Sequence, residues 1–197
     1  MNSSKAKSAN PLARAAQKGG AGSVRIIGGE MRGRRLAVPS RPGLRPTPDR
    51  VRETLFNWLG QRLDGLTCLD LFAGSGALGF EAASRGAARV VMVENDREAF
   101  AALERHRELL RVSHVELVFG DALAYLAGAK QAFDVVFLDP PFRQNALGPV
   151  LEKMAARVAA GGRVYLESPA PLEPQAPWRE LRRARAGQVS YQLLEKP

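Results

Sequence analysis

The sequence has little cysteine and histidine and no long apolar run. Its 197 residues include one cysteine and two histidines, and the apolar runs are five to eight residues long. The single cysteine, Cys68, excludes an intramolecular disulfide and is expected to be a buried thiol in a cytoplasmic protein. With so few soft ligands, no zinc or other metal is expected, and both histidines are expected at the surface. The short apolar runs and the polar N-terminus indicate neither a membrane span nor a secretory signal.

Acidic residues are scarce in the first third of the chain. Residues 1–62 contain thirteen Lys and Arg against three Asp and Glu, whereas residues 63–197 contain sixteen against seventeen. The net charge of +9 therefore comes from the N-terminal third. A basic element attached to a nearly neutral remainder predicts a polyanionic partner. Residues 1–23 have almost no large apolar side chain and are predicted to be a disordered basic tail.

Residues 24–62 are predicted to form a small hairpin and a helix that together bind RNA. Short strand-like runs flank the Gly-rich stretch from Gly28 to Gly33, which is typical of a β-hairpin. Thr47, Pro48 and Asp49 are typical of a helix start, with the threonine hydroxyl as cap. An alternative role for Arg45 and Thr47 is to cover a ligand pocket. The candidate phosphate-binding side chains of this element are Arg32, Arg34, Arg35, Arg41, Arg45, Arg50 and Arg52.

From residue 63 the chain alternates between apolar strands and amphipathic helices. Strands are predicted at 66–71, 89–93, 115–119, 133–138 and 163–167, with helices at 77–85, 97–111, 121–128 and 146–159. Strands that are apolar throughout and separated by helices predict a parallel sheet covered on both faces, a Rossmann-like doubly wound α/β domain. The segments 178–184 and 188–194 have no helix between them and predict a closing antiparallel hairpin. We expect one catalytic domain, 63–197, in a monomeric protein.

A Gly-rich loop follows the first of these strands and predicts a nucleotide-like ligand. Glycines at 74, 76 and 79 allow a tight turn and a close backbone approach, but dinucleotide enzymes share this spacing. Glu94, Asp70 and Asp121 lie at the ends of three strands, where they suit ribose, an ammonium group or the loop, and adenine. S-adenosylmethionine fits this set, although Asp121 could instead only cap its helix. The candidate cofactor residues are Asp70, Phe72, Ala73, Gly74, Ser75, Gly76, Glu94, Asn95, Asp121 and Ala122.

The fourth strand ends in Asp139-Pro140-Pro141-Phe142, the candidate catalytic motif. Successive prolines fix φ and remove backbone N–H groups, so the loop is stiff and its carbonyls are available. The Asp139 carboxylate and the Pro140 carbonyl can accept both N–H bonds of a planar amino group, and Phe142 can stack on its ring. These contacts would free the nitrogen lone pair for attack on a methyl carbon. The same turn could also simply terminate a strand.

These motifs together resemble the RsmD family, bacterial methyltransferases that act on guanine N2 of small-subunit ribosomal RNA. The resemblance runs from about Val24 to the C-terminus and includes RIIGGEMRGRRL, GLRPTPDRVRETLFNWL, LDLFAGSGALGFEA, VEND, GDA, DPPF, YLES and GQVSYQLLEK. It implies S-adenosylmethionine as methyl donor and an assembled or nearly assembled small subunit as substrate. Alternatives are methylation of adenine N6 or a protein glutamine, a non-catalytic ribosome assembly factor, and an NAD-dependent oxidoreductase.

Overall fold

The structure, a computed structural model, describes residues 22–39, 47–140 and 147–197. Nine strands are present in these ranges: β1 Ser23–Arg25, β2 Arg35–Ala37, β3 Thr67–Asp70, β4 Arg89–Glu94, β5 Val115–Phe119, β6 Phe133–Leu138, β7 Val158–Ser168, β8 Arg179–Ala186 and β9 Val189–Glu195. The α-helices there are α1 Asp49–Leu59, α2 Ala77–Ser84, α3 Arg97–Leu110, α4 Ala122–Gly128 and α5 Leu147–Met154. None of the helices in the described ranges is long and apolar enough to cross a membrane.

Seven strands form one sheet in the order β5-β4-β3-β6-β7-β9-β8. Strands β3 to β7 are parallel, and β9 pairs antiparallel with both β7 and β8. The strand order reverses between β3 and β6, where doubly wound sheets bind ligands. The predicted doubly wound α/β fold and its antiparallel C-terminal hairpin are confirmed. The predicted N-terminal hairpin is also present, as the separate pair β1 and β2.

The register of the parallel strands places several carboxyl side chains at one edge of the sheet. Asp70 pairs with Phe137 across β3 and β6, and Leu138 pairs with Leu166 across β6 and β7. Asp139 and Glu167 each follow one member of this last pair by one residue, so they end neighbouring strands. The carboxyl ends of five adjacent strands therefore form the rim of the candidate site.

Two hydrophobic clusters cover the two faces of the sheet. The helices α4 and α5 pack on one face, and the hairpin, α1, α2 and α3 pack on the other. All eight residues of α2 are buried, because the hairpin and α1 cover the side of the helix that faces away from the sheet. The hairpin thus shares a continuous core with the sheet. Cys68 lies in that core, as expected, and burial raises the pKa of its thiol to about 12.

Three local expectations were wrong. The helix predicted at 146–159 is shorter, because Val158 already pairs with Phe133 and begins β7. The Thr47 hydroxyl does not cap α1, whose N-cap is Pro48 without a side-chain hydrogen bond. His106 is 5% exposed against the Phe80 ring rather than at the surface. The predicted tail lies outside the described residues apart from its last two positions.

Candidate active site

The Gly-rich loop between β3 and α2 has the tight geometry that its sequence predicts. Gly76 adopts φ +78° as the N-cap of α2, a left-handed conformation that favours glycine. Gly79 lies against β4, and a Cβ added there would be 2.8 Å from the Met92 side chain. The loop glycines therefore allow both the turn and a close contact between helix and sheet. Phe72, Ala73, Gly74 and Ser75 complete the loop.

Asp70, the last residue of β3, orients this loop through a hydrogen bond to the first turn of α2. Its Oδ2 accepts a hydrogen bond from the Gly79 N–H at 2.9 Å, so the carboxyl caps the first turn of α2 from the neighbouring strand. The side chain is 2% exposed. Burial raises the pKa of Asp70 to about 7, with a contribution from the Glu94 charge, while the Gly79 and Phe72 N–H groups act in the opposite direction. Two roles were expected for Asp70: to orient the loop or to bind a ligand ammonium group. The hydrogen bond to Gly79 agrees with the first role, and the second stays a prediction.

Glu94 joins the Gly-rich loop to the next strand end. Its Oε2 accepts from the Gly74 N–H and its Oε1 from the Asp96 N–H, each at 2.7 Å. Each carboxylate oxygen has two lone pairs, so both oxygens can still accept a further bond from a ligand hydroxyl. Asn95 follows at the surface. The hydrogen bond from the loop therefore holds Glu94 in place, and its carboxylate could at the same time accept a bond from a ribose hydroxyl.

Asp121 lies at the end of the third strand along this edge. Its Oδ1 accepts from the Ala124 N–H at 3.0 Å, so it caps α4. The helix-cap interpretation is thus correct, and the second carboxylate oxygen takes no part in that bond. Next to it, Phe119 is 48% exposed, with the Phe100 ring at 5.3 Å and the Arg97 guanidinium over its face. Ala122, the first residue of α4, is buried.

Asp139 follows β6 and meets the segment that precedes α1. The Thr47 hydroxyl donates to Asp139 Oδ2 at 3.4 Å. Burial, together with the charges of Glu167 and Asp70, raises the pKa of Asp139 well above its usual range, and the Thr47 hydrogen bond lowers it. Pro140 is buried, and Pro141 and Phe142 lie outside the described residues. The hydroxyl predicted to cap a helix therefore binds the candidate catalytic carboxyl.

Sequence reasoning missed the buried group beside Asp139. Glu167 is 5% exposed at the end of β7, and Tyr165 donates its hydroxyl to Glu167 Oε1 at 2.8 Å. Burial raises the pKa of Glu167, whereas hydrogen bonds from Tyr165 and Thr47 lower it. The signal was available in the sequence, because Glu167 ends the fifth strand just as Glu94 ends the second. Applying the strand-end rule to β7 would have found it.

The N-terminal hairpin is fixed to the far end of α2. Ser84 Oγ donates to the Gly28 carbonyl at 2.6 Å and accepts from the Met31 N–H at 2.9 Å, and the Ser84 carbonyl accepts from the Glu30 N–H. Gly29, at φ +72°, is so close that an added Cβ would lie 1.7 Å from the Ser84 carbonyl oxygen. Four predicted phosphate-binding residues of this element are exposed, and Arg41 and Arg45 lie outside the described residues. The exposed ones are Arg32, Arg34, Arg35 and Arg50.

Arg52 does not belong to this exposed set, so its predicted contact with RNA is wrong. Its side chain is 1% exposed and donates to Glu81 at 3.2 Å, to Asp49 at 2.5 Å and to the Arg25 carbonyl at 2.8 Å. A guanidinium with all these partners has no free face for a phosphate. Arg52 instead connects α1, α2 and β1, because desolvating a guanidinium requires this many acceptors.

Comparison with known proteins agrees with this architecture. The family model described as "Conserved hypothetical protein 95" matches residues 24–195. The Escherichia coli (strain K12) protein named Ribosomal RNA small subunit methyltransferase D is 43% identical over 183 residues, which cover 90% of this chain and 92% of that protein. Its Haemophilus influenzae namesake is 42% identical over 182 residues, covering 88% and 94%. The chain belongs to the RsmD family.

Solved structures place the RsmD fold among methyltransferases. A putative methyltransferase from Escherichia coli superposes with a TM-score of 0.81 at 42% identity, covering 89% of this chain and 98% of that one. A putative methyltransferase from Streptococcus mutans, whose structure is a complex with SAH, has a TM-score of 0.62 at 16% identity and covers 77% and 100%. The second similarity shows a shared fold only.

The strand ends of this RsmD family member suit the methyl donor that the fold implies. Asp70 and Glu94 end the adjacent strands β3 and β4, and Asp121 follows β5 as the N-cap of α4, so three carboxyl groups line one edge of the sheet. The Gly-rich loop between β3 and α2 lies beside these carboxyl groups, and its Gly74 N–H donates to Glu94. Among the described residues, no group of three or more His, Cys, Asp and Glu could hold a metal ion.

Proposed function

We propose that this protein transfers a methyl group from S-adenosylmethionine to the N2 amino group of a guanine in small-subunit ribosomal RNA. The observation that carries the proposal is the position of Asp139 immediately after β6, the strand that pairs with β3 and its Gly-rich loop. A donor bound at the loop and an amino group at Asp139 would lie at neighbouring strand ends. The relatives named Ribosomal RNA small subunit methyltransferase D support ribosomal RNA as the substrate.

The residues of the β3 to β5 edge would hold the donor. Glu94 would accept the ribose hydroxyls, Asp121 the adenine amino group, and Asp70 would keep the loop in place for the amino-acid part. When bound, S-adenosylmethionine supplies an electrophilic methyl group on a sulfonium. No acid or base is needed to activate such a donor, so the protein acts mainly on the nucleophile and on its position.

Asp139 would act on the amino group of the base. The nitrogen lone pair of a guanine amino group is delocalised into the ring, which makes it a weak nucleophile. Hydrogen bonds from its two N–H groups to the Asp139 carboxylate and the Pro140 carbonyl would favour a tetrahedral nitrogen with an available lone pair. Phe142 would stack on the base after it leaves its neighbours in the RNA. The exposed arginines Arg32, Arg34, Arg35 and Arg50, together with Arg45, would bind phosphates.

A methylation assay on purified small subunits tests this function. Subunits from cells that lack the corresponding modification should accept labelled methyl groups from S-adenosylmethionine, and nuclease digestion should yield N2-methylguanine. A label on adenine or on a ribosomal protein would assign a different amino group. Absence of label together with tight subunit binding would identify a non-catalytic assembly factor.

The variant Asp139→Ala separates catalysis from cofactor binding. It should bind S-adenosylmethionine with an unchanged Kd and lose turnover by roughly 100-fold or more, because it removes the acceptor for the amino group. Asp64→Ala is the matched control, since Asp64 is 54% exposed in its ion pair with Arg62 and lies away from the strand ends. Unchanged turnover in Asp139→Ala would refute the assignment of the site.

A further inference from the structure

Two carboxyl groups and two hydroxyls lie close together at the ends of β6 and β7. The Thr47 hydroxyl lies 3.4 Å from Asp139 Oδ2, and the Tyr165 hydroxyl lies 2.8 Å from Glu167 Oε1. The Thr47 hydroxyl also lowers the pKa of Glu167, the neighbouring carboxyl at the end of β7. Thr47, Tyr165 and Glu167 are at most 7% exposed. In the described part of the chain, neither carboxyl forms an ion pair with a Lys or Arg. Two negative charges here would therefore have no compensating cation among the residues that the structure describes.

The number of hydrogen atoms that these side chains can donate decides whether all of the hydrogen bonds in the cluster can form. A threonine hydroxyl has one hydrogen to donate, so Thr47 cannot donate to both carboxylates at once. If one carboxyl is protonated, every bond is satisfied. Tyr165 then donates to Glu167 Oε1, the protonated Glu167 Oε2 donates to Thr47, and Thr47 donates to Asp139 Oδ2. The second oxygen of Asp139 is left for a substrate.

We propose that Glu167 is a positioning residue that holds one proton and, through Thr47, keeps Asp139 ionised toward the substrate amino group. This inference rests on the proposed methyl transfer. Glu167 is the inner member of the pair, at 5% exposure and covered by Tyr165, whereas Asp139 is half-buried and faces the site. Amino N–H groups that bond to Asp139 favour its ionised form. The proton of the pair therefore stays on Glu167 during the reaction.

The electrostatic surroundings agree with a shared proton. Burial and neighbouring carboxyls raise the pKa of Asp139 well above its usual range, and burial raises the pKa of Glu167 as well. Among the described residues, the titratable groups that act on the pair are Asp70 on β3 and Tyr165 on β7, with Tyr191 on β9 beside Tyr165, and none of these three is a cation. Two such groups titrate as a pair rather than singly.

This arrangement also provides an acceptor for the proton that the reaction releases. The amino nitrogen forms its bond to the methyl carbon with its own lone pair, the electrons of the carbon–sulfur bond remain on sulfur, and the nitrogen then has one proton to lose. The ionised Asp139 accepts that proton, so both carboxyls are neutral until the product leaves. If Glu167 were also ionised at the start, repulsion would raise the proton affinity of Asp139 and leave Thr47 with two acceptors for one hydrogen.

Substitution of Glu167 by glutamine tests the proposal, because glutamine copies the protonated acid. Its carbonyl can accept from Tyr165 and its amide can donate to Thr47. Glu167→Gln should keep kcat within about threefold of wild type at neutral pH. In the wild type, kcat should fall at high pH as the carboxyl pair loses its proton. Because Glu167→Gln has no such proton to lose, the ratio of its kcat to the wild-type kcat should rise at high pH. A loss of roughly 100-fold in Glu167→Gln, or the same pH profile in both proteins, would overturn the proposal.

Variants of Thr47 separate positioning from structure. Thr47→Ser keeps the hydroxyl and should be close to wild type, whereas the isosteric Thr47→Val should lower kcat by roughly tenfold with the Kd for S-adenosylmethionine unchanged. Circular dichroism and thermal melting establish that each variant is folded. Equal activity of Thr47→Ser and Thr47→Val would exclude the hydrogen-bonded connection.

Infrared spectroscopy detects the proton without any substrate. Asp70, the other buried carboxyl with a pKa of about 7, is first removed by Asp70→Asn. In this background the full-length protein at neutral pH should show the carbonyl stretch of a buried protonated carboxyl, and adding Glu167→Gln should remove the band. A band that persists in Glu167→Gln but disappears in Asp139→Asn would place the proton on Asp139 and overturn the proposal. Because this measurement needs no RNA, it remains decisive if the proposed methylation of ribosomal RNA is incorrect.

Discussion

Arg52 Nη1 lies 3.2 Å from Glu81 Oε2, and both side chains are at most 1% exposed. The same carboxylate accepts from Arg85 and from the Ile27 and Gly28 N–H groups of the hairpin, at 2.8 to 2.9 Å. Four donors saturate the two oxygens of Glu81. This one side chain therefore joins the N-terminal hairpin and α1 to the helix that begins at the Gly-rich loop.

Breaking the Arg52–Glu81 pair should destabilise the whole protein. Arg52→Ala or Glu81→Ala removes one member of a buried ion pair and leaves the other with fewer hydrogen bonds, and each should lower the free energy of unfolding by about 3–5 kcal/mol in urea titrations. Arg62→Ala is the control, because the Arg62–Asp64 pair is exposed and its removal should change stability little. Variants that unfold at the same urea concentration as wild type would contradict this role.

The hairpin contact with Ser84 predicts different outcomes at two glycines. Gly29→Ala and Gly33→Ala both place a side chain at positive φ, +72° and +86°, which costs about 1–2 kcal/mol of stability in each case. Only Gly29 also meets the Ser84 carbonyl, whereas nothing lies within 4 Å of Gly33. Gly29→Ala should therefore be clearly the less stable in urea, and limited proteolysis should cut its hairpin faster. Equal destabilisation in the two variants would show that the hairpin can move away from α2.

Glu94 should control cofactor affinity through both of its oxygens. Glu94→Ala removes the acceptors for Gly74 and Asp96 and for a ribose, so the Kd for S-adenosylmethionine in calorimetry should rise by roughly tenfold or more. Glu94→Gln should also weaken binding, because its NH₂ group would face a backbone N–H. The exposed Glu104 on α3 supplies the control variant, Glu104→Ala. If both Glu94 variants bind S-adenosylmethionine with wild-type affinity, Glu94 does not contact the ribose.

Asp70 predicts a pH-dependent component of stability. Its pKa in the folded state is about 7, above the usual value of 3.8, so the native protein binds the proton more tightly than the unfolded chain does. This contribution is full below pH 3.8 and disappears as the pH rises to about 7, at about 1.4 kcal/mol per pKa unit. Over roughly pH 5 to 8, wild type should therefore lose more stability than Asp70→Asn in urea titrations. Parallel curves would show that Asp70 is ionised throughout.

The exposed arginines of the hairpin should affect substrate binding and not chemistry. Arg32→Gln with Arg34→Gln should raise KM for small subunits while kcat stays constant, because phosphate contacts position the RNA. The dependence of log Kd on log salt should become shallower by roughly 0.7–0.9 for each phosphate that the variant no longer neutralises. Arg105→Gln, on the exposed side of α3, should change neither KM nor the salt dependence. An equal effect of Arg105→Gln would show that RNA binding depends on the overall positive charge of the protein and not on the position of the hairpin arginines.

The sequence was informative wherever structure depends on near neighbours along the chain. Apolar strands alternating with helices predict the parallel sheet, and the parallel sheet brings the strand ends of Asp70, Glu94, Asp121 and Asp139 to one edge. That step needs only topology, because all parallel strands end on the same side. The main part of the cofactor edge was therefore predictable from the sequence alone.

The errors arose where a distant residue competes with a local preference. Thr47 has good helix-cap chemistry, but its hydroxyl binds Asp139, 92 residues further on. Arg52 lies off the apolar stripe of its helix and would normally be solvated, yet Glu81 on another helix provides a buried partner. No local pattern encodes such a pair, so it becomes visible only when the helices are packed together.

The burial of α2 has a consequence for how the protein can vary. The helix begins at Ala77, directly after Gly76 of the cofactor loop, and ends at Ser84, which holds the hairpin, so its eight residues span about 12 Å. One inserted residue would rotate everything beyond it by about 100° and turn Glu81 or Ser84 away from the hairpin. Strand ends and hairpin arginines can change one at a time. The α2 helix is a spacer of fixed length, and altering it would displace the hairpin and the cofactor loop together.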